Sequence, residues 1–192
     1  MTRREIVEIG NPVLRARARE VTPEELRSGE LQQLIDDMIE TMRAANGAGL
    51  AANQVAETVR VAVVEVREGN VRYPYKPPIP LTVIVNPLIE PLDEEIEQIN
   101  EGCLSVPNLR GEVPRHVNIR LRYLDREGGE HEEVRRGLTA GTFQHELDHL
   151  DGKLFVDRVT DPATLSTWAE FERFHRDAFV ERARRLVERV GS

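Results

Sequence analysis

The chain of 192 residues has a single cysteine, so no internal disulfide can brace it. A lone thiol fits a reducing compartment and raises the question of what the sulfur is for. No stretch approaches the ~20 consecutive apolar residues of a membrane span. The opening Met1-Thr2-Arg3-Arg4-Glu5 leads into no apolar segment of a secretory signal, and the expected address is cytoplasmic. A basic excess is missing as well. The 26 Lys+Arg stand against 34 Asp+Glu, and the resulting net charge of −8 argues against a nucleic-acid substrate. Repeats and low-complexity tracts are absent. What remains, 40% hydrophobic and 31% charged residues, is the balance of a globular chain. A domain this long removes roughly 70% of its unfolded surface from water and needs no partner to close a core. A monomer with one domain over residues 1–192 is expected.

Local signals give an α+β fold: antiparallel or mixed sheets around a central helix, with one helix before and one after. Asn11-Pro12 has the form of a helix start. Thr22-Pro23-Glu24-Glu25 repeats it, with Glu25 placed to complete a capping box. Leu31, Leu34, Ile35, Met38, Ile39 and Met42 then fall at helical spacing, and Asn46-Gly47 is expected to stop that helix through a left-handed glycine. Val59 to Val66 predicts a buried strand. Leu81 to Val85 predicts a second, halted by Asn86-Pro87, and Glu95 to Ile99 a weaker third. The proline-rich stretch from Tyr73 to Pro80 predicts an irregular loop, either a rim over a groove or a surface connector. Val117 to Tyr123 alternates apolar with polar residues, turns at Asp125 to Gly129, and returns over His131 to Arg135 as a hairpin. A helix is expected from about Thr139 to Leu150. A last one is expected over residues 161–190, with Trp168, Phe171, Phe174 and Phe179 as core aromatics. Strands do not interleave regularly with helices, which excludes a doubly wound parallel fold.

Gln144-His145-Glu146-Leu147-Asp148-His149 carries the chemistry. Two histidines four apart on a helix lie about 40° apart around the axis and about 6 Å along it, so both rings reach one metal ion. Glu146, beside the first ligand, is placed to act as general base. A hydrolytic metal site needs a third protein ligand and one open position. Cys103, in Glu101-Gly102-Cys103-Leu104-Ser105, is the candidate, against the plain reading of a small buried core residue. Pro107 is expected to end strand pairing soon after it. A third segment, Gly47-Ala48-Gly49-Leu50-Ala51-Ala52-Asn53-Gln54, superficially fits a dinucleotide fingerprint, but it follows a helix and precedes a strand, which excludes that reading. Its terminal amide, Gln54, could donate to an oxyanion near a metal. Glu101, Arg115 and Asp148 could form a charged network bracing the ligands.

Together, Gly47 to Gln54, Glu101 to Ser105 and Gln144 to His149 resemble, in order and spacing, the three motifs of the peptide deformylases. Val106-Pro107, Arg110, Val113-Pro114-Arg115 and the run Asp151 to Arg158 are similar too, so the resemblance covers roughly Ile6 to Arg158. It implies removal of the N-formyl group from the initiator methionine of nascent polypeptides, with release of formate. It implies one divalent metal ion, Fe(II) in vivo with Zn(II), Ni(II) or Co(II) as substitutes, on Cys103, His145 and His149. Glu146 would be the general acid/base acting on a metal-bound water, with Gln54 and the Leu104 N–H facing the formyl oxygen. Substrate contacts would come from Ala48, Gly49, Gly102, Arg110, Leu138, Gly141 and Thr142. Gly141 and Thr142 depart from the bulkier residues of many relatives and leave the size and polarity of the methionine pocket open. The substrate partners would be N-formylmethionyl peptides. A transient ribosome contact through the last helix is a weaker expectation, because its mixed charges are the pattern of a solvated face.

Rival readings are a His-Glu-x-x-His metalloprotease with a more distant third ligand and a non-catalytic binder of formylated N-termini. A redox sensor built on Cys103 is a third, for which the chain has no resolving cysteine.

Overall fold

The computed structural model describes residues 2–69 and 75–192. Asn11 caps a 3-10 turn, Pro12–Arg15, by accepting from the Val13 N–H. Thr22 accepts from the Glu25 N–H and Glu25 returns the bond to Thr22, a complete capping box on α1, Pro23–Leu26. The expected continuous helix is two helices. Ser28 accepts from the Leu31 N–H and starts α2, Gly29–Ala44, because a hydroxyl there competes for backbone groups better than it continues a helix. All six apolar residues of the expected stripe are buried on α2. Its end is also a correction: the left-handed residue is Asn46, at φ 53°, and not Gly47.

Among the described residues the strands are β1 (Gly49–Ala51), β2 (Val61–Val66), β3 (Ile79–Pro91), β4 (Ile96–Cys103), β5 (Val106–His116), β6 (Asn118–Leu124) and β7 (Glu130–Arg136). A five-stranded antiparallel sheet has the order β1-β2-β3-β6-β7, and β4 and β5 form a separate hairpin. The central helix α3 (Gly137–Leu150) covers one face of the sheet and α2 the other. The pleat of β2 explains its valine run. Ala62, Val64 and Val66 pack in the cluster of Phe143, Leu147 and Leu150 from α3, while Val61 and Val63 pack with Ile35, Met38 and Met42 from α2. A strand covered on both faces has no polar side to show.

Two prolines that were expected to stop strands do not. Asn86-Pro87 lies inside β3, at a shift of register between Val85↔Leu124 and Leu88↔Arg122. Asn86 adopts φ 50° there, and its amide bonds both Val21 backbone groups at 2.8 Å. Pro107 sits in the irregularity that separates Cys103↔Val106 from Gly102↔Arg110, and β5 runs on beyond it. A bulge tolerates proline because no ladder bond is asked of its nitrogen. Of the loop expected over Tyr73 to Pro80, Tyr73 and Pro74 lie outside the described residues, and Ile79 and Pro80 already belong to β3.

The last helix begins later than its Asp161-Pro162 start signal. That signal caps only a 3-10 turn, Pro162–Thr164. Ser166 then exchanges backbone hydrogen bonds with Arg110, and Thr167 caps α4, Trp168–Glu170. A π-wound turn, Phe171–His175, leads into α5, Arg176–Val190. Phe171 and Phe179 are buried against Ile99, Val117 and Leu138, but Phe174 is 62% exposed and no core residue. No described helix is long and apolar enough to cross a membrane.

Gly152 ends α3 at φ 73°, and a Cβ there would stand 2.6 Å from the Arg15 carbonyl oxygen. Gly29, in the first turn of α2, would meet nothing within 4 Å. Gly152→Ala should therefore lower unfolding free energy by at least about 2 kcal/mol, and Gly29→Ala should raise it by roughly 0.5 kcal/mol, both read from urea midpoints.

Candidate metal centre and its cleft

The site is assembled from α3 and from two tight chain reversals. His145 and His149 stand one turn apart on α3. Cys103 ends β4 and pairs with Val106, so only Leu104 and Ser105 form the hairpin turn and the sulfur sits at its tip. Gln54 belongs to the 3-10 turn Ala52–Val55 that follows β1. The Cys103 Sγ lies 3.2 Å from His149 Nε2, which lies 3.3 Å from His145 Nε2. Sulfur and both ring nitrogens fall within 4.8 Å of one another.

The surroundings orient these atoms. His145 Nδ1 donates to Glu101 Oε2 at 2.8 Å, which fixes the tautomer that leaves Nε2 free for a metal. Glu101 in turn receives Arg115 in a two-pronged contact, Nε to Oε1 at 2.7 Å and Nη2 to Oε2 at 2.9 Å. The third Arg115 nitrogen, Nη1, donates to Asp148 Oδ2 at 2.5 Å. The expected network of Glu101, Arg115 and Asp148 is thus present, and it is buried throughout.

Electrostatics favour a cation among the three ligands. Burial opposes charge on Glu101, but Arg115 and His145 outweigh it and hold its carboxyl well below the usual range. Burial opposes charge on His145 too, yet the neighbouring Cys103 sulfur and Glu101 carboxylate raise its pKa well above the ordinary value. His149 is driven the other way by burial and the charge of its neighbour, so its ring stays neutral. One thiol and two imidazoles around a point that attracts positive charge suit Fe(II), Zn(II), Ni(II) or Co(II).

A cleft opens beside the ligands, and Cys103 and His145 lie in its wall. Ala48, Gly49, Gln54, Gly102, Leu104 and Glu146 line it, as do Arg110, Leu138, Gly141 and Thr142. Every expected catalytic and substrate-binding position therefore borders one space, and His149 closes the metal cluster behind it. Glu146 is buried, one carboxylate oxygen has no protein partner, and burial pushes its pKa up to about 7. The Gln54 Oε1 accepts from the Ala51 N–H at 2.9 Å, while Nε2 donates to Ser105 Oγ at 3.1 Å and approaches the Cys103 sulfur at 3.5 Å. Arg110 is 1% exposed, stacked between Trp168 at 4.2 Å and Phe171 at 4.3 Å, and donates to Asn100 Oδ1 at 2.7 Å.

Three lining residues, Ile99, Asn100 and Phe179, were not expected at the site, and Tyr75 and Lys76 come from the proline-rich loop. Lys76 Nζ donates to Thr142 Oγ1 at 2.9 Å, and Tyr75 meets Phe179 edge-on at 5.0 Å. The middle of the proline-rich loop, Tyr75 and Lys76, thus borders the cleft as a rim. Its composition signalled irregular backbone and left both a rim and a surface connector open. The question left by Gly141 also has an answer. A Cβ there would stand 2.8 Å from Ile99 Cδ1, so Ile99 fills the space that a larger residue would take. Thr142 is satisfied by Lys76 and by donating to the Leu138 carbonyl at 3.0 Å.

Residues 3–164 match the family model for polypeptide deformylase. The chain belongs to the peptide deformylase family. It is 44% identical to peptide deformylase 2 of Nostoc sp. over 167 residues, 87% of this chain and 92% of the relative. It is 44% identical to peptide deformylase of Leptospira biflexa over 159 residues, 83% and 89% of the two chains. Among solved structures, the class I type b peptide deformylase from Acinetobacter baumannii with bound Met-ala-ser superposes with a TM-score of 0.79 at 40% identity. It covers 82% of this chain and 99% of that one. The Synechococcus elongatus peptide deformylase in complex with actinonin gives 0.72 at 34% identity, over 93% and 87%. The deformylase family is metal-dependent, and the Cys-His-His cluster is this member's metal-binding site.

Gly49 is where the site is tightest. A Cβ on it would stand 2.2 Å from one Glu146 carboxylate oxygen and 2.8 Å from its Cγ. Gly49→Ala should leave metal content unchanged and lower kcat about 10²-fold, because the displaced carboxylate is out of line by roughly 1 Å. Steady-state kinetics with metal analysis on the same sample check this.

Proposed function

We propose that this chain removes the N-formyl group from the initiator methionine of nascent polypeptides and releases formate. The observation that carries the reading is the convergence of Cys103, His145 and His149 within 4.8 Å beside a cleft where Glu146 is pressed against Gly49. Its setting in a deformylase frame selects this chemistry among the hydrolytic reactions such a cluster could support. Cys103, His145 and His149 would hold one divalent ion, Fe(II) in the cell and Zn(II), Ni(II) or Co(II) as replacements. When bound, the ion supplies Lewis acidity, which lowers the pKa of water and polarises the formyl carbonyl.

The protein's own groups do the rest. Glu146 takes a proton from the attacking water and delivers it to the leaving amine, a dual role suited to a carboxyl poised near neutral pH. Gln54 and the Leu104 N–H face the oxygen on which charge develops, and the bond from the Ala51 N–H fixes the amide in advance. Ala48, Gly49 and Gly102 flank the peptide, whose backbone they can approach closely for want of bulk. Leu138, Gly141 and Thr142 border the methionine side chain, and Arg110 stiffens the neighbouring wall. Residues 1–192 work as one unit, since Phe179 of α5 borders the same cleft as the ligands. The enzyme acts in the cytoplasm as a monomer, with formylmethionyl peptides as its partners. The metalloprotease reading is disfavoured because it leaves Cys103 idle, yet the sulfur stands 3.2 Å from a metal histidine.

Anaerobically purified protein should release formate from a formyl-methionyl peptide and leave internal peptide bonds intact. Glu146→Ala should keep its metal and lose about 10³-fold in kcat. Near-wild-type turnover by that metal-loaded variant would refute the role of Glu146.

A further inference from the structure

We propose that Arg158 is a positioning residue for the metal centre, acting on His145 from outside the cleft through Asp148, Arg115 and Glu101. The proposal rests on the metal-site reading above. Arg158 lines a second groove, with Arg60, Leu147, Asp148 and Asp151, that shares no lining residue with the cleft. Its guanidinium grips Asp148 with two nitrogens, Nη2 to Oδ1 at 2.6 Å and Nε to Oδ2 at 3.2 Å. Asp148 Oδ2 also receives Arg115 Nη1, and Arg115 spends its other two nitrogens on Glu101.

The link to the metal ligand is a single shared atom. Glu101 Oε2 accepts both Arg115 Nη2 and His145 Nδ1, so the position of one donor sets what remains for the other. The inner members are nearly buried, with side-chain exposures of 3% for Arg115, 8% for Glu101 and 9% for Asp148. Arg158, at 42%, is the exposed end of the chain. Charge within it balances as two guanidiniums against two carboxylates. Without Arg158, two buried carboxylates share one cation, and Asp148 Oδ1 loses its guanidinium partner. Asp148 is then free to turn, Arg115 Nη1 follows, and the shift ends at the oxygen that orients His145. Removing a group that hydrogen-bonds a metal ligand directly, as Glu101 does, typically changes metal affinity 10–100-fold, and Arg158 acts on that group from farther out, at the lower end of that range.

Arg60 supplies the control. It lines the same groove and pairs with Asp151 at 2.7 Å, but that pair reaches no ligand. The experiment is Zn(II) competition with a chromogenic chelator on the full chain, together with the absorption spectrum of the Co(II) form. Arg158→Ala should raise the Zn(II) Kd about tenfold and alter the Co(II) bands. Arg158→Lys, which keeps the charge but not the fork, should fall between, and Arg60→Ala should stay within about twofold of wild type. An Arg158→Ala Kd within about twofold of wild type would overturn the proposal, as would an equal rise in Arg60→Ala. If Arg158→Ala does not fold, Arg158→Gln is measured against the same limits. A wild-type chain that holds no Zn(II), or a Cys103→Ser chain that holds it equally well, would instead sink the metal-site reading.

Discussion

One carboxylate oxygen organises the centre of this protein. Glu101 Oε2 accepts from the Arg115 guanidinium and from His145 Nδ1 together, and so ties the β4–β5 hairpin to α3 at the point where their ligands meet. Cys103 lies two residues beyond Glu101 on the same strand, and His149 lies one turn beyond His145 on the same helix. Fixing Glu101 against His145 therefore fixes the approach of sulfur to both rings. The cost of burying these charges is offset because each carboxylate faces a guanidinium with its hydrogen bonds made. Removing any one partner would leave an uncompensated charge beside the metal.

Around that node the fold acts as a press. The main sheet is covered by α2 on one face and α3 on the other, which leaves α3 almost wholly buried and able to carry an ionisable group at low solvation. Burial of this kind keeps His149 neutral and holds Glu146 near neutral pKa. The glycine-rich run before Gln54 serves the same end. It contributes only a short edge strand, and its missing Cβ at Gly49 is the space that the Glu146 side chain occupies.

Much of this was legible in the residues, for identifiable reasons. The histidine spacing, the sole cysteine and the terminal amide are local patterns, and local patterns survive folding. The capping box at Thr22, the stripe of α2 and the β6–β7 hairpin were legible for the same reason. Local pattern misleads where tertiary contacts rescue a residue from its usual role. Asn86-Pro87 and Pro107 look like stops but become bulges, because Asn86 finds Val21 and Pro107 lies between paired stretches. Ser28 separates the turn begun by the Thr22 capping box from the apolar stripe, which lies wholly on α2. Asp161-Pro162 starts a turn and not the final helix, since Ser166 is first drawn into pairing with Arg110. Tyr75, Ile99 and Phe179 carry no motif, and only the folded chain brings them to the cleft.

The central claim is that one sulfur and two imidazole nitrogens share a single cation. X-ray absorption at the edge of the bound metal tests this most directly. The expected spectrum of the Zn(II) form has one sulfur at about 2.3 Å and two imidazoles at about 2.0 Å in a four-coordinate shell. A shell of nitrogen and oxygen without sulfur would contradict it.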